Sequence, residues 1–296
     1  GYGEYWSTSN PPGVGATWDF GAVTSRTINV SSDYTNLYYG LRTVDRSGNW
    51  SGTTSAGPYK IDTVIPAVVT ALTSTSHTVN VWSNDSSVDF RWTAATDDRS
   101  GVDGYGESTG SSPGVFVANF KDLEQTATSR TLTFSSGPRY YALKTVDNAG
   151  NWTPTTAEVG PYLIDVTNPV GPTNLGSSTH TVGTWSSNRT VRVLWTAASD
   201  AHSGLAGYDT RWDSAAGTVL TGLIDTGATV TSKTTTLPDG SWYFHIAARD
   251  TAGNYGATQH IGPFRLDGGN PSGPTGLNSP SHTPGSWSNL TNVQIA

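Results

Sequence analysis

Large apolar residues alternate with polar ones at a period of two along this chain, the spacing of half-buried strands. Val88, Phe90 and Trp92 follow it, and so do Val191, Val193 and Trp195, which predicts an inward-facing strand ending on a large anchor. Tyr39, Leu41 and Thr43, then Tyr141, Leu143 and Thr145, then Phe244, Ile246 and Ala248 form a second set. Each of these runs leads into a tight Gly-Asn hairpin whose turn glycines are Gly48, Gly150 and Gly253. Return strands carry Tyr162 with Ile164 and Phe264 with Leu266, while Leu132 with Phe134, Tyr105 and Tyr208 mark further strands. Short strands with turn signals every ~8–12 residues predict an antiparallel β-sandwich. Trp92, Trp195, Phe90, Val193, Leu143 and Ile246 are its expected core.

The pattern recurs about every 103 residues. Gly57-Pro58, Gly160-Pro161 and Gly262-Pro263 are each followed by an aromatic and then by Asp62, Asp165 and Asp267. Next come Pro66, Pro169 and Pro271, then His77, His180 and His282, then Trp-Ser pairs at Trp82, Trp185 and Trp287. Asp-x-x-Gly-Asn recurs at Asp45–Asn49, Asp147–Asn151 and Asp250–Asn254. The expected division is a partial repeat at 1–62 lacking its first two strands, complete repeats at 63–165 and 166–267, and first strands only at 268–296. The stretch missing between the two partial pieces corresponds to residues 92–103. Short Pro-containing linkers predict sandwiches stacked end to end as a rod.

Composition narrows the function classes. Charged residues are only 13% of the chain and the net charge is −7, with Lys60, Lys121, Lys144 and Lys233 the only lysines. No basic cluster exists to neutralise phosphates, which argues against nucleic acid. The longest apolar run, Val64–Leu72, is far short of the ~20 residues that span a bilayer, so no membrane insertion is expected. No start Met and no signal peptide are present, so the chain is expected to be a mature product or an excised segment. Cys and Met are both zero: no disulfide or thiolate chemistry is open to it, and the composition tolerates an oxidising exterior.

The Val-x-Phe-x-Trp-Thr-Ala-Ala run at 88–95 and its partner at 191–198 resemble the second strand of a fibronectin type III domain. Gly-Tyr at 104–105 and 207–208 resembles the start of its third strand, and the Asp-x-Ala-Gly-Asn hairpins resemble its last hairpin. The whole chain is similar to the tandem Ig-like and fibronectin type III-like repeats of large bacterial surface proteins. The resemblance implies an all-β fold of tandem antiparallel sandwiches and an extracellular or cell-surface location. It departs at the tyrosine corner, whose matched positions are Leu37, Arg139 and Trp242, with the constant Tyr38, Tyr140 and Tyr243 one residue later.

Catalytic signals are missing. One repeated His per domain does not make a metal site, no nucleophile-elbow or His-Glu-x-x-His pattern occurs, and the recurrent acids fall in turns, where Asp bonds its own backbone. No enzyme activity and no organic cofactor are expected. In such a sandwich the acids Asp97, Asp98, Asp103 and Asp147 of one repeat share the pole that receives Asp62, and Asp200 with Asp250 share the pole that receives Asp165. Plain turn capping is the leading reading of these acids, and calcium, which takes ~6–8 oxygen ligands, is the alternative occupant of the junctions. Trp6, Trp212 and Tyr5 read as outward aromatics suited either to sugar stacking or to packing. Sequons at Asn29, Asn49, Asn84, Asn151, Asn188 and Asn289 bear on glycosylation only.

The leading functional expectation is a structural or adhesive segment of an extracellular stalk or fibre, with neighbouring repeats or subunits and surface glycans as partners. One alternative is an accessory binding array of a secreted carbohydrate-active enzyme or lectin. Another is a filament subunit that completes its split domains head to tail.

Overall fold

Strands carry the alternation throughout, and among the described residues no helix forms and none is long and apolar enough to cross a membrane. The computed structural model describes residues 1–13, 15 and 17–296. They divide into two units, Gly1–Thr167 with Thr251–Asn254, and Asn168–Asp250 with Tyr255–Ala296.

In the first unit, β1 (Tyr2–Ser7), β2 (Tyr34–Thr43) and β3 (Thr54–Ile61) form one antiparallel sheet. They are followed by β4 (Thr70–Ser74), β5 (Trp82–Ser83), β6 (Ser87–Thr93), β7 (Val102–Gly110), β8 (Leu123–Glu124), β9 (Ser129–Thr133), β10 (Gly137–Asp147) and β11 (Ala157–Ile164). These eight build a sandwich of two sheets, ordered β4-β6-β9 and β5-β11-β10-β7-β8. The second unit repeats it with β12 (Thr173–Ser177), β13 (Trp185–Ser186), β14 (Thr190–Thr196), β15 (Leu205–Asp213), β16 (Thr226–Gly227), β17 (Ser232–Thr236), β18 (Gly240–Asp250) and β19 (Gln259–Leu266). Its sheets run β12-β14-β17 and β13-β19-β18-β15-β16. Three strands facing a larger sheet, in which β11, β10 and β7 lie side by side, is the arrangement of a fibronectin type III sandwich.

The Trp-Ser landmark marks where the chain changes sheets. Trp82-Ser83 leaves the three-stranded sheet and pairs parallel with Leu163-Ile164, and Trp185-Ser186 does the same with Arg265-Leu266. Between the sheets Phe90 stacks on Tyr141 at 4.3 Å, and Trp92 meets Tyr105 edge-on at 5.9 Å. In the second unit Trp195 meets Tyr208 at 5.6 Å and stacks on Phe244 at 6.0 Å. Trp92, Phe90, Leu143, Trp195, Val193 and Ile246 are all buried. Aromatic pairs in these geometries add ~0.5–1.5 kcal/mol beyond the area they bury. The tyrosine hydroxyls are used as well: Tyr105 accepts from the Ala95 N–H at 3.2 Å and Tyr208 from the Ala198 N–H at 2.9 Å. That gives the Trp-Thr-Ala-Ala run a second role, tying the strand end to the core.

The displaced tyrosine also has a physical reason. The β10–β11 ladder shifts register between Arg139 and Tyr141, opposite Gly160. A Cβ on Gly160 would lie 2.6 Å from the Arg139 carbonyl oxygen and 2.8 Å from the Tyr140 ring, and the φ of +140° is one that side chains disfavour. Tyr140 therefore lies over a glycine across the bulge, and Tyr243 lies over Gly262 in the same way.

The partial repeats differ from the complete ones at two places. Segment 24–31, which aligns with β9, forms no strand, because the three-stranded sheet that would receive it is not built in the first repeat. A cavity of ≈ 370 Å³ lies on that face instead, lined by Trp6, Arg26, Ile28, Tyr39 and Tyr59 among others. Segment 268–296 forms no strand either; Asn278 and Ala296 exchange backbone hydrogen bonds at 3.2 and 3.0 Å, and Ser279 and Ser281 bond the Gln294 backbone. Trp287, with no sheet to join, is fully exposed.

Candidate functional site

The recurrent histidine proves to be a turn brace. His77 Nε2 lies 2.9 Å from the Asp85 carbonyl oxygen, which only accepts, so Nε2 carries the proton and Nδ1 accepts from Ser76 Oγ at 2.9 Å. His180 repeats this with Asn188 and Thr179, and His282 with Leu290 and Ser281. Each ring closes the loop around the Trp-Ser pair.

The acids divide into those that converge and those that do not. In the first unit, carboxylate oxygens of Asp62, Asp97 and Asp147 all lie within 4.8 Å of one another. Asp62 follows β3, Asp97 sits in the β6–β7 loop, and Asp147 ends β10. Asp98 points to solvent and stands outside the group, and Asp103 is paired with Lys121 at 2.9 Å. Adjacent residues in an extended turn face opposite ways, which is why Asp97 and Asp98 part.

Turn bonding holds each member in place. Asp147 Oδ1 accepts from the Ala149 and Asn151 N–H groups at 2.9 and 2.8 Å, and Asp97 Oδ2 from Arg99 and Gly101 at 3.0 and 2.8 Å. Asp62 accepts from the Val64 and Ser100 N–H groups at 3.0 and 2.9 Å, and hydrogen bonding from Ser100 holds its carboxyl below the usual range. Gly150, at φ +91°, lets the Asp147 hairpin close. Asp147 is only 1% exposed, and Asp97 Oδ1 is buried with no hydrogen-bond partner. Among the described residues none of the three carboxylates forms an ion pair with Lys or Arg. The buried Asp97 Oδ1, an acceptor left without a donor, carries a desolvation cost. The donor set is all oxygen and suits a hard divalent cation better than a softer one.

In the second unit, oxygens of Asp200 and Asp250 also lie within 4.8 Å, and Asp200 Oδ1 accepts from the His202 and Gly204 N–H groups. Asp165 belongs to the first unit, where it is fully buried and accepts from the Thr167 N–H and hydroxyl.

The aromatics read as outward are split. Trp6 packs on Tyr39 at 4.9 Å and Trp212 on Phe244 at 5.0 Å, both on the inner face, while Tyr5 is 51% exposed. Two groups escape sequence reasoning. Asn151 uses its amide to reach the carbonyls of Asp62 and Val64. His245 and His260, unrepeated and fifteen residues apart, meet across the β18–β19 ladder.

No known protein-family profile matches the chain. It is 32% identical over 212 residues to chitinase A1 of Niallia circulans, a match covering 68% of this chain and 26% of that protein. The chain thus spans about a quarter of the curated relative it matches. Among solved structures it is similar to the fibronectin(III)-like modules of Clostridium thermocellum CbhA, at 14% identity and a TM-score of 0.36, covering 67% of this chain and 95% of that one. It is also similar to the FN1–FN3 domains of chicken CNTN1, at 12% identity and a TM-score of 0.29, covering 77% and 78%. By its strand order and its recurring landmarks, the chain is a tandem series of fibronectin type III-like β-sandwich repeats.

Proposed function

We propose that this chain is a non-catalytic accessory array of a secreted carbohydrate-active protein, working outside the cell. The observation that carries the reading is the 212-residue match to part of chitinase A1. The absence of Cys and Met fits an oxidising exterior. The surface offered to a polysaccharide is the loop that follows β7. Phe116 and Phe120 stand there 81% and 68% exposed, and Val219 and Leu223 hold the same places after β15 at 75% and 83%. Aromatic faces of this kind stack on the apolar faces of sugar rings. Depletion of the chain from solution by insoluble chitin or cellulose tests the reading. Retention supports it, and no retention on either contradicts it.

A second reading, a structural or adhesive segment of a cell-surface stalk or fibre, is favoured by one observation. The recurring landmarks are spent on holding the chain together, as the Asn151 amide does at the end of the preceding repeat. Its partners are then neighbouring repeats of the same protein.

For Asp62, Asp97 and Asp147 the proposed occupant is calcium, supported by the all-oxygen donor set and by the unpartnered Asp97 Oδ1. Bound there, the ion offsets the three charges and stiffens the joint between β3 and the following sandwich.

A further inference from the structure

His245 and His260 approach Nδ1 to Nδ1 at 2.7 Å, and His245 is fully buried. Its other nitrogen, Nε2, lies 3.0 Å from Asp213 Oδ1. The carboxylate only accepts, so Nε2 carries a proton and the tautomer of His245 is settled. Two ring nitrogens at 2.7 Å hold a single proton between them. The pair therefore accommodates its neutral state and one added proton, with either ring as donor across the contact. A second added proton places N–H against N–H.

Asp213 also anchors the 214–224 loop. Its Oδ1 accepts from the Ala215 N–H at 2.9 Å and its Oδ2 from Thr218 Oγ1 at 2.8 Å. Further along, the Leu220 N–H donates to Thr258 Oγ1 at 3.0 Å and the Gly222 N–H to Asp209 Oδ2 at 2.7 Å, with Leu220 buried beneath. Other charged or titratable groups on this face are Arg211 and Asp209 on β15, Tyr243 and Arg249 on β18, and Arg265 on β19. Arg211 is paired with Asp213 at 3.3 Å, and Arg249 lies over the Tyr255 ring. The loop itself brings no ionisable side chain.

We propose that the His245–His260 pair is a proton-operated latch, which holds the 214–224 loop against the β18 sheet until a second proton enters and releases it. His260 is exposed and is the ring that swings away. His245 is then left as a buried imidazolium with an unsatisfied Nδ1–H, which favours admitting water beneath the loop. Burial, and next the neighbouring His245, hold His260 below the ordinary histidine range, with Asp213 opposing. Burial works to raise Asp213, but hydrogen bonds from Thr218, Ala215 and His245 overcome it and keep the carboxyl ionised. A histidine depressed in the folded state contributes stability above its unfolded pKa, and that contribution is lost as pH falls below ~6.5.

The equivalent loop after β7 is an internal reference. There Ala142 takes the place of His245, packed on Val115 and Val117, and Glu158 accepts from the Gly114 and Val115 N–H groups. Deuterium uptake of the 214–224 amides at pH 7.5 and 5.0, each divided by that of 111–121 in the same chain, cancels the intrinsic pH effect. The latch predicts a loss of relative protection at the lower pH. In His260→Gln the ratio stays flat, and His245→Ala, which copies Ala142, serves should that variant fail to fold. An unchanged ratio in the parent chain, or the same fall in either folded variant, overturns the proposal.

Discussion

The side-chain amide of Asn151 donates to the carbonyl oxygen of Asp62 at 3.0 Å, joining the last hairpin of one sandwich to the strand end that precedes it. The same nitrogen is 3.3 Å from the Val64 carbonyl and 2.8 Å from Asp147 Oδ2. Asn151→Ala leaves those acceptors open and is expected to cost ~1–3 kcal/mol. Asn49→Ala, where the amide reaches only Asp45 among the described residues, costs less. Urea unfolding of the two variants checks the order; equal losses contradict it.

The anchors are tested by truncation. Trp195→Ala and Trp92→Ala are each expected to destabilise by ~3–5 kcal/mol, because both rings are buried against aromatic partners. Melting followed by tryptophan fluorescence reads the loss, and a variant that melts like the parent removes that residue from the core.

Two glycines separate backbone strain from steric exclusion. Gly150 has φ +91° with open space around its missing Cβ, so Gly150→Ala is expected to cost ~1–2 kcal/mol. Gly160→Ala meets a carbonyl oxygen at 2.6 Å as well, and must force the β10–β11 bulge apart. It is expected to cost distinctly more, as thermal denaturation will report.

Calcium at Asp62, Asp97 and Asp147 predicts a melting temperature that rises with millimolar calcium and falls with EGTA. Free ligand at a hundred times its Kd adds ~2.7 kcal/mol. Asp147→Asn abolishes the shift, and a parent chain indifferent to both additions contradicts the site.

Acid stability follows from the same carboxylates. Hydrogen bonding from Ser100 lowers Asp62, and the Arg189 guanidinium lowers Asp239. A carboxylate depressed in the folded state adds stability above its unfolded pKa, which is lost as pH falls through the folded value. Urea midpoints are therefore expected to decline below about pH 4, beyond the separate loss that His260 brings below ~6.5. A midpoint flat from pH 7 to pH 3 contradicts this.

Strand positions were legible from side-chain period alone, because one face of each sheet is buried and the alternation at Val88, Phe90 and Trp92 has only one solution. The repeat places Asp62, Asp97 and Asp147 in loops at a common pole, where their carboxylate oxygens lie within 4.8 Å of one another. Register was not legible. His245 meets His260 only because the ladder slips at the Gly262 bulge, and no pattern in a single strand encodes a slip in its partner. Segment 24–31 shows the other limit: it aligns with β9, but a strand needs a neighbour to pair with.

The most direct test of the accessory-array reading compares the parent chain with a Phe116→Ala/Phe120→Ala double variant on insoluble chitin and cellulose. The account predicts that the parent is depleted from solution and the folded double variant is not. A parent chain left wholly in solution on both polymers would contradict it.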